Sequence, residues 1–179
     1  MNLSASGLSL IKNLKSAATI AFHASGGGLK LIEGQEGLRL VAYRDTAGVW
    51  TIGWGSTRYE NGSPVKPGDN ITAERADALF QNTLKGFEDD VNRMVKVQLT
   101  QNQFDALLSW HYNTGGMTAT VCTLRTKLNA RDYMGAADQF LVWNKIKDPK
   151  TGEHVPSVTL TNRRKIERQL FIKDIRQAA

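Results

Sequence analysis

Two carboxyl groups and a hydroxyl, those of Glu36, Asp45 and Thr51, fall within one short stretch that is rich in aromatic residues and glycine. Hydrolysis of a glycosidic bond uses one carboxylic acid to protonate the leaving oxygen and a second carboxylate to activate water on the opposite face of the sugar. By themselves, a Glu and an Asp at this spacing are more often ordinary surface charges than a catalytic pair. The elements that carry them decide between these two interpretations.

The first predicted helix places Glu36. Gly26–Gly28 indicates a break in the chain, after which the apolar spacing predicts a short helix from Leu29 that ends at Gly37. Glu36 then lies at a helix C-terminus, where the helix dipole disfavours negative charge and favours the protonated carboxyl group. This tendency suits a general acid.

A predicted hairpin places the other two groups. Runs of β-forming residues at Leu40–Tyr43 and Val49–Ile52 flank a turn and predict an antiparallel pair of strands. Asp45 lies at the corner of this hairpin, and Thr51 lies on the returning strand, where its side chain can face the same cleft. A third short strand is expected at 57–59.

The remainder of the chain is predicted to be helical. Thr72 is a good N-cap for a long helix that runs to about Val95, and a capping box at 100–103 opens a helix that runs from Phe104 to Tyr112. Shorter helices are expected at 123–130, 133–143 and 162–176. The predicted class is α+β, with a small antiparallel sheet lobe and a larger helical lobe joined by the long helix.

Composition limits the class of protein without identifying it. A chain of 179 residues with 41% apolar content can bury one substantial core. Its single cysteine, Cys122, cannot close an intramolecular disulfide, which fits folding in a reducing compartment. The net charge of +6 is concentrated at the two ends and favours nucleic acid, anionic lipid or a wall polymer with carboxylates as partner.

Residues 1–28 are interpreted as a separate N-terminal segment, followed by one domain of two lobes at 29–179. Apolar residues at helical spacing, with Lys12 and Lys15 opposite them, predict an amphipathic helix in the first segment. Both a packed or surface-lying helix and a secretion signal or reversible membrane anchor fit this modest pattern. No segment reaches the roughly 18 uninterrupted apolar residues of a membrane span.

The stretch that begins at Glu36 resembles the signature of the phage-type lysozymes, the muramidases of glycoside hydrolase family 24. The segment 99–115 is similar to the family's central helix entry, and Thr161–Arg164 with Glu167 resembles its C-terminal Asn-Arg element. The resemblance covers residues 29–172 and implies a lysozyme-like fold. Ser56 departs from the pattern, because many relatives carry a His there that forms a supporting salt bridge.

The resemblance implies an endolysin that hydrolyses the β-1,4 bond between N-acetylmuramic acid and N-acetylglucosamine in bacterial peptidoglycan, with inversion and without a cofactor. Glu36 would be the general acid, Asp45 the carboxylate that activates water, and Thr51 a hydroxyl that helps to hold that water. The implied glycan contacts are those of Thr57, Tyr112 and Gln139. Arg163 would approach Glu36 from the last helix; a solvated arginine on a basic helix is the alternative.

Other functions have less support in the sequence. A lytic transglycosylase cleaves the same bond without water and can dispense with the second carboxylate, so Asp45 and Thr51 favour hydrolysis. A non-catalytic wall-binding or membrane-active protein would need only the basic ends. Scattered histidines and one cysteine argue against a metal site, and the amphipathic last helix argues against nucleic acid. We expect a monomer that is made in the host cytoplasm and acts on the wall in the periplasm, with inner-membrane association through residues 1–28 left open.

Overall fold

The computed structural model describes residues 21–45 and 48–177 and places two antiparallel hairpins among a larger set of helices. In this part of the chain, no helix is long and apolar enough to cross a membrane. The elements, in chain order, are α1 (Gly26–Glu36), β1 (Arg39–Arg44), β2 (Trp50–Gly53), α2 (Ala73–Met94), α3 (Gln101–Thr114), a 3-10 helix (Gly116–Thr118), α4 (Thr123–Asn129), α5 (Tyr133–Phe140), β3 (Lys145–Lys147), β4 (His154–Pro156), α6 (Val158–Phe171) and α7 (Lys173–Gln177).

The predicted hairpin near the N-terminus is confirmed. β1 and β2 are antiparallel, with Tyr43 opposite Thr51 and Arg44 opposite Trp50. A small core beneath them consists of Ile52, Val65 and Leu79. The sheet lobe therefore has its own buried cluster, and this cluster fixes the strand that carries Thr51.

The third strand predicted at 57–59 is wrong. Arg58 forms only an isolated bridge with Pro64. The chain reverses directly after β2 through Gly55, whose φ of +97° is a conformation that side chains rarely tolerate. Ser56 then pairs back onto Ile52 as a single bridge, so the reversal leaves no length for a further strand.

The long helix α2 joins the two lobes as predicted, because it contacts both β2 and α3. Thr72 caps α2 by accepting a hydrogen bond from the backbone N–H of Arg75. The predicted capping box is also confirmed, with Thr100 and Gln103 each bonded to the other's backbone. Residues 103–111 of α3 are all buried, which makes α3 the centre of the helical lobe.

The C-terminal third differs from the prediction at its boundaries. α5 ends at Phe140 because the chain turns there into the short β3–β4 hairpin, which the sequence did not predict. α6 begins earlier than predicted because Ser157 caps it by accepting from the Leu160 N–H. A break at Ile172 separates α6 from α7, so the predicted single helix at 162–176 is two.

The break predicted at Gly26–Gly28 is wrong, because α1 begins there. Ser25 caps the helix by accepting from the Gly28 N–H at 3.1 Å. A Cβ atom on Gly28 would lie 2.6 Å from the carboxyl carbon of Asp105 on α3. Close packing of α1 against α3, rather than a chain break, explains this glycine.

The segment that precedes α1 is bound to the helical lobe. Phe22 stacks on Phe104 with ring centroids 5.3 Å apart. The side-chain amide of Asn92 bonds both the N–H and the C=O of Phe22, each at 2.9 Å, and Glu88 accepts from the Ala24 N–H at 2.7 Å. Most of the amphipathic helix predicted from Leu3 to Phe22 lies outside the described residues, whereas its last two apolar positions, Ala21 and Phe22, precede α1 outside any helix. The domain boundary at 28 stays a prediction.

A buried histidine links α2 and α3. His111 Nδ1 accepts from the Met117 N–H at 3.3 Å, and Nε2 lies 3.2 Å from Asp90 Oδ2. This pattern indicates a neutral imidazole that donates its Nε2 proton to Asp90. Burial lowers the pKa of His111, and the hydrogen bond and charge of Asp90 oppose part of that shift.

We expect His111 to make the protein less stable as the pH falls. In the unfolded chain, the His111 imidazole takes up a proton near the ordinary histidine pKa of about 6.5. In the folded chain, the pKa of the same imidazole is lower, so it stays neutral at that pH. The free energy of unfolding therefore falls with pH below that value, by at most about 1.4 kcal/mol per pH unit. Urea unfolding at a series of pH values measures this slope. The variant His111→Asn keeps an acceptor for the Met117 N–H but does not titrate, and an equally steep slope in that variant would contradict the assignment.

Candidate active site

The C-terminal end of α1 presents Glu36 to a cleft between the two lobes. Glu36 is the last residue of the helix, and Gly37 ends it with a φ of 72°. The Glu36 side chain is 19% exposed, and its Oε1 accepts from Arg163 Nη1 at 2.7 Å. Arg163 is itself only 4% exposed, so the alternative of a solvated arginine is wrong.

The guanidinium of Arg163 is held on three sides. Besides Glu36, its Nη2 donates to the backbone C=O of Ser109 at 3.2 Å, and its Nε donates to Glu167 at 3.1 Å. Because α6 packs against α3, these contacts fix the cation from within the helical lobe. The sequence resemblance indicated Arg163, but it did not indicate the partners that hold it.

The cleft encloses about 390 Å³ beside Glu36. It is lined by Glu36, Gly55, Ser56, Thr57, Arg58, Tyr59, Asn82, Thr83, Phe87, Tyr112 and Asn113. Two of the residues predicted to contact glycan, Thr57 and Tyr112, therefore lie in the same cleft as Glu36. Gln139 lies on α5 and is not among the lining residues.

Tyr112 and Gly55 line the cleft next to Glu36. The Tyr112 hydroxyl donates to the backbone C=O of Trp54 at 2.7 Å. Burial, and then the charge of Glu36, raises the pKa of Tyr112, with Arg163 opposing. A Cβ atom on Gly55 would lie 3.5 Å from Glu36 Oε2 and 3.6 Å from the Tyr112 hydroxyl. Glycine here keeps the cleft open beside the carboxyl group.

Asp45 lies at the corner of the β1–β2 hairpin as predicted. Its Oδ1 accepts from the Val49 N–H at 2.8 Å, and its own N–H donates to the Val49 C=O at 2.9 Å. Burial raises the pKa of the Tyr43 phenol, and the charges of Glu36 and Asp45 both add to that rise while Arg39 opposes it. The charges of Glu36 and Asp45 thus both raise the pKa of the Tyr43 phenol, although Asp45 is not among the residues that line the cleft.

Thr51 is buried on β2 with 3% exposure. Its hydroxyl donates to the Val49 C=O at 3.1 Å, so Val49 contacts both Thr51 and Asp45. Thr51 is not among the residues that line the cleft. The structure thus brings Glu36, Arg163, Thr57 and Tyr112 together and leaves Asp45 and Thr51 on the adjacent hairpin.

Several polar residues of the site were not predicted from the sequence. Asn82 and Thr83 line the cleft from α2, and no local pattern distinguishes them from other polar residues of a long helix. Asn113 lines the cleft and accepts from Arg164 Nη2 at 2.9 Å. Asn113 also borders a second groove of about 770 Å³ that includes Trp143.

Ser56 is the residue that departs from the family signature in the sequence. It is buried with 3% exposure and lines the cleft. Among the described residues, its Oγ has no hydrogen-bond partner. A serine hydroxyl carries no charge, so Ser56 forms no salt bridge in this cleft.

The sequence model of the family described as Phage lysozyme matches residues 33–167, a range that includes Glu36, the hairpin and Arg163. The chain belongs to the phage lysozyme family. This membership and the structure both confirm the predicted α+β, lysozyme-like fold class. The protein is therefore a glycoside hydrolase.

Known relatives of this phage lysozyme are endolysins. The endolysin of Acyrthosiphon pisum secondary endosymbiont phage 1 is 42% identical over 149 residues, which cover 83% of this chain and 97% of that protein. The SAR-endolysin of Escherichia phage 933W is 34% identical over 74% of this chain and 77% of that protein. The solved structure of the endolysin from Escherichia coli O157:H7 phage FAHEc1 is 39% identical, with a TM-score of 0.76 over 86% of this chain and 95% of that chain.

Proposed function

We propose that this phage lysozyme is an endolysin that hydrolyses the β-1,4 bond between N-acetylmuramic acid and N-acetylglucosamine in bacterial peptidoglycan and so lyses the host cell. The observation that carries the proposal is a helix-terminal carboxyl group, Glu36, which faces a cleft and contacts a buried guanidinium at 2.7 Å. The endolysin relatives support the same function.

Glu36 acts as the general acid in this proposal. Glu36 lies at the C-terminal end of α1, with Arg163 Nη1 2.7 Å from its Oε1. As the proton moves to the leaving oxygen, negative charge develops on Glu36 within hydrogen-bond distance of Arg163 Nη1. A fixed cation at that point stabilises the charge as it forms.

Asp45 and Thr51 position the attacking water. Both side chains are held by Val49, which fixes their orientation on the hairpin. A hydroxyl that donates its proton to a backbone carbonyl presents its oxygen as an acceptor, so Thr51 can accept from a water whose other proton goes to Asp45. Attack by this water on the face opposite Glu36 inverts the anomeric carbon.

The products test the reaction type. Digestion of purified peptidoglycan is expected to release fragments with ordinary reducing ends and an anomeric configuration opposite to that of the cleaved bond. Mass spectrometry of the products and proton NMR during the first minutes of digestion measure these two properties. Anhydro-muramyl ends would instead identify a lytic transglycosylase, and initial products of retained configuration would overturn inversion.

The cleft beside Glu36 and the second groove that adjoins it at Asn113 suit a polymer. The cleft and the second groove share Asn113, so a continuous chain can extend from one into the other. Thr57 and Tyr112 are proposed to contact the glycan from the cleft, and Gln139 stays a prediction from the family. The positive net charge of +6 complements peptide carboxylates of the wall. We propose that the enzyme works as a monomer and without nucleic acid.

The proposed place of action is the periplasmic face of the wall, after synthesis in the host cytoplasm. Similarity to a SAR-endolysin supports a membrane-associated stage through residues 1–28, and a packed surface helix stays the alternative. A truncation that distinguishes membrane association from a packed surface helix should remove only residues 2–20. Loss of Phe22 and Ala24 would also leave Asn92 and Glu88 of the folded lobe without their partners.

A further inference from the structure

Glu167 lies at the centre of a buried ionic cluster behind the cleft. Its side chain is fully buried, and its Oε1 accepts from Arg163 Nε and Arg164 Nη2, both at 3.1 Å, and from the Ser109 hydroxyl at 2.8 Å. Arg164 Nε lies 2.8 Å from the other carboxylate oxygen, close enough for an ion pair but not aligned as a hydrogen bond. Glu167 does not line the cleft, so it can affect the reaction only through its neighbours.

We propose that Glu167 is a positioning residue for the reaction, which fixes the Arg163 guanidinium against Glu36 and offsets part of its positive charge. The inference rests on the proposed role of Glu36 as the general acid. It assigns a function to a residue that contacts neither the cleft nor Glu36 directly.

The orientation of Arg163 supports the first part of the proposal. A guanidinium is planar and presents its donors in a fixed fork. The three nitrogens of Arg163 have three different partners: Nε donates to Glu167, Nη2 to the Ser109 C=O, and Nη1 to Glu36. Arg163 and Glu167 lie four residues apart on one face of α6. Because the fork is rigid, holding Nε also aims Nη1 at the carboxyl group.

The charges of the cluster support the second part. Two cations, Arg163 and Arg164, share one buried anion, Glu167. Burial lowers the pKa of Arg164 to about 10, with the Glu167 charge opposing, so that Arg164 stays a cation at neutral pH. Burial raises the pKa of Glu167, and both guanidinium groups and the Ser109 hydroxyl oppose the rise. Without the anion, the positive charge of the two guanidinium groups behind Glu36 would be unbalanced.

The other titratable groups that face Glu36 are two phenols. Tyr112 approaches from α3 and Tyr43 from β1, and burial raises the pKa of both. They are neutral throughout the working range of a lysozyme, and the next charges beyond Tyr43 are Arg39 and Asp45. Within the described residues, Arg163 on α6 is therefore the charged group that contacts Glu36 directly.

The same anion also fixes a second wall of the cleft. Arg164 Nη2 contacts both Glu167 and the Asn113 side-chain oxygen, at 3.1 and 2.9 Å. Asn113 lines the cleft, so its amide N–H groups are turned by this contact away from Arg164. A substitution at Glu167 therefore affects Glu36 through Arg163, and it affects the cleft wall at Asn113 through Arg164.

Glu167→Gln is the first test. The amide keeps the shape and one acceptor but removes the charge, so we expect kcat/KM on purified peptidoglycan to fall about 10-fold. We also expect the alkaline limb of the pH–rate profile to move about one unit lower, because unbalanced cations favour ionised Glu36. Glu153→Gln is the matched control, since it removes the same charge at an exposed position and should leave the limb in place.

Two further variants separate charge from structure. Arg164→Met removes one cation and should move the alkaline limb higher. The double variant Arg164→Met/Glu167→Gln restores the balance of charge and should return the limb close to its native position. Neutral groups of similar volume often replace a buried ion pair without loss of folding. If Glu167→Gln does not fold, the pH–rate profiles of Arg164→Met and of the double variant still test the proposal.

The outcomes of this series are distinct from those of the proposed function. A native pH–rate profile in Glu167→Gln, or limbs that move in the same direction in Glu167→Gln and Arg164→Met, would overturn the role of Glu167. Normal activity of Glu36→Gln would instead overturn the proposed function. Loss of activity in Glu36→Gln together with an unshifted limb in Glu167→Gln would leave the function standing and remove only this inference.

Discussion

Replacement of Glu36 by Gln is expected to lower wall-clearing activity by at least about 100-fold, the usual minimum effect of losing a general acid. The amide keeps the size of the side chain and can still accept from Arg163 Nη1, which lies 2.7 Å from Glu36 Oε1 in the native chain. It cannot deliver a proton to the leaving oxygen. Initial rates of turbidity loss with purified peptidoglycan measure the effect.

Glu33→Gln is the matched control for this substitution. It makes the same chemical change about one turn earlier on α1, at a residue outside the cleft lining. We expect it to clear walls at close to the native rate. If folded Glu36→Gln protein cleared walls equally well, the catalytic interpretation would be wrong, and a wall-binding or membrane-active protein would be the better description.

Asp45→Asn is expected to cause a loss of similar size, at least about 100-fold. Asparagine can still accept from the Val49 N–H, which contacts Asp45 Oδ1 at 2.8 Å, so the hairpin corner should persist. What it loses is the negative charge that takes a proton from the attacking water. Clearing rates and product masses, measured on the same digests, report activity and reaction type together.

A second hairpin corner offers the control for Asp45. Asp148, in the turn between β3 and β4, also accepts backbone N–H groups, from Lys150 at 2.7 Å and Thr151 at 3.1 Å. Asp148→Asn makes the same change at a similar turn and should leave clearing nearly unaffected. Retained activity in Asp45→Asn, accompanied by anhydro products, would point to a transglycosylase, which does not need the second carboxylate.

Short-range signals explain why the position of Glu36 was predictable. The caps at Thr72 and Thr100, the end of α1 at Gly37 and the β1–β2 hairpin all depend on hydrogen bonds between residues a few positions apart. Such bonds follow from residue type and local spacing. The sequence could therefore place the acid at a helix end and Asp45 at a corner before any tertiary contact was known.

The buried cluster on α6 was not predictable in this way. In the sequence, Arg163 and Arg164 belong to a basic run that resembles a solvated helix face, yet both are buried. Their burial depends on Glu36, Ser109 and Asn113, which lie 51 to 127 positions away. Similarly, β3 and β4 are three residues each and mostly exposed. Each is therefore too short to show the alternation of apolar and polar residues that would predict a strand.

The contact between Glu36 and Arg163 joins residues 127 positions apart. Contacts of such high sequence separation close a long loop, and the entropy cost of that closure slows folding. A ribosome that has already made Glu36, Asp45 and Thr51 still holds a chain without the guanidinium that contacts Glu36. Both residues must have left the ribosome before this contact can form, so a chain that terminates between them carries the proposed acid but not its partner.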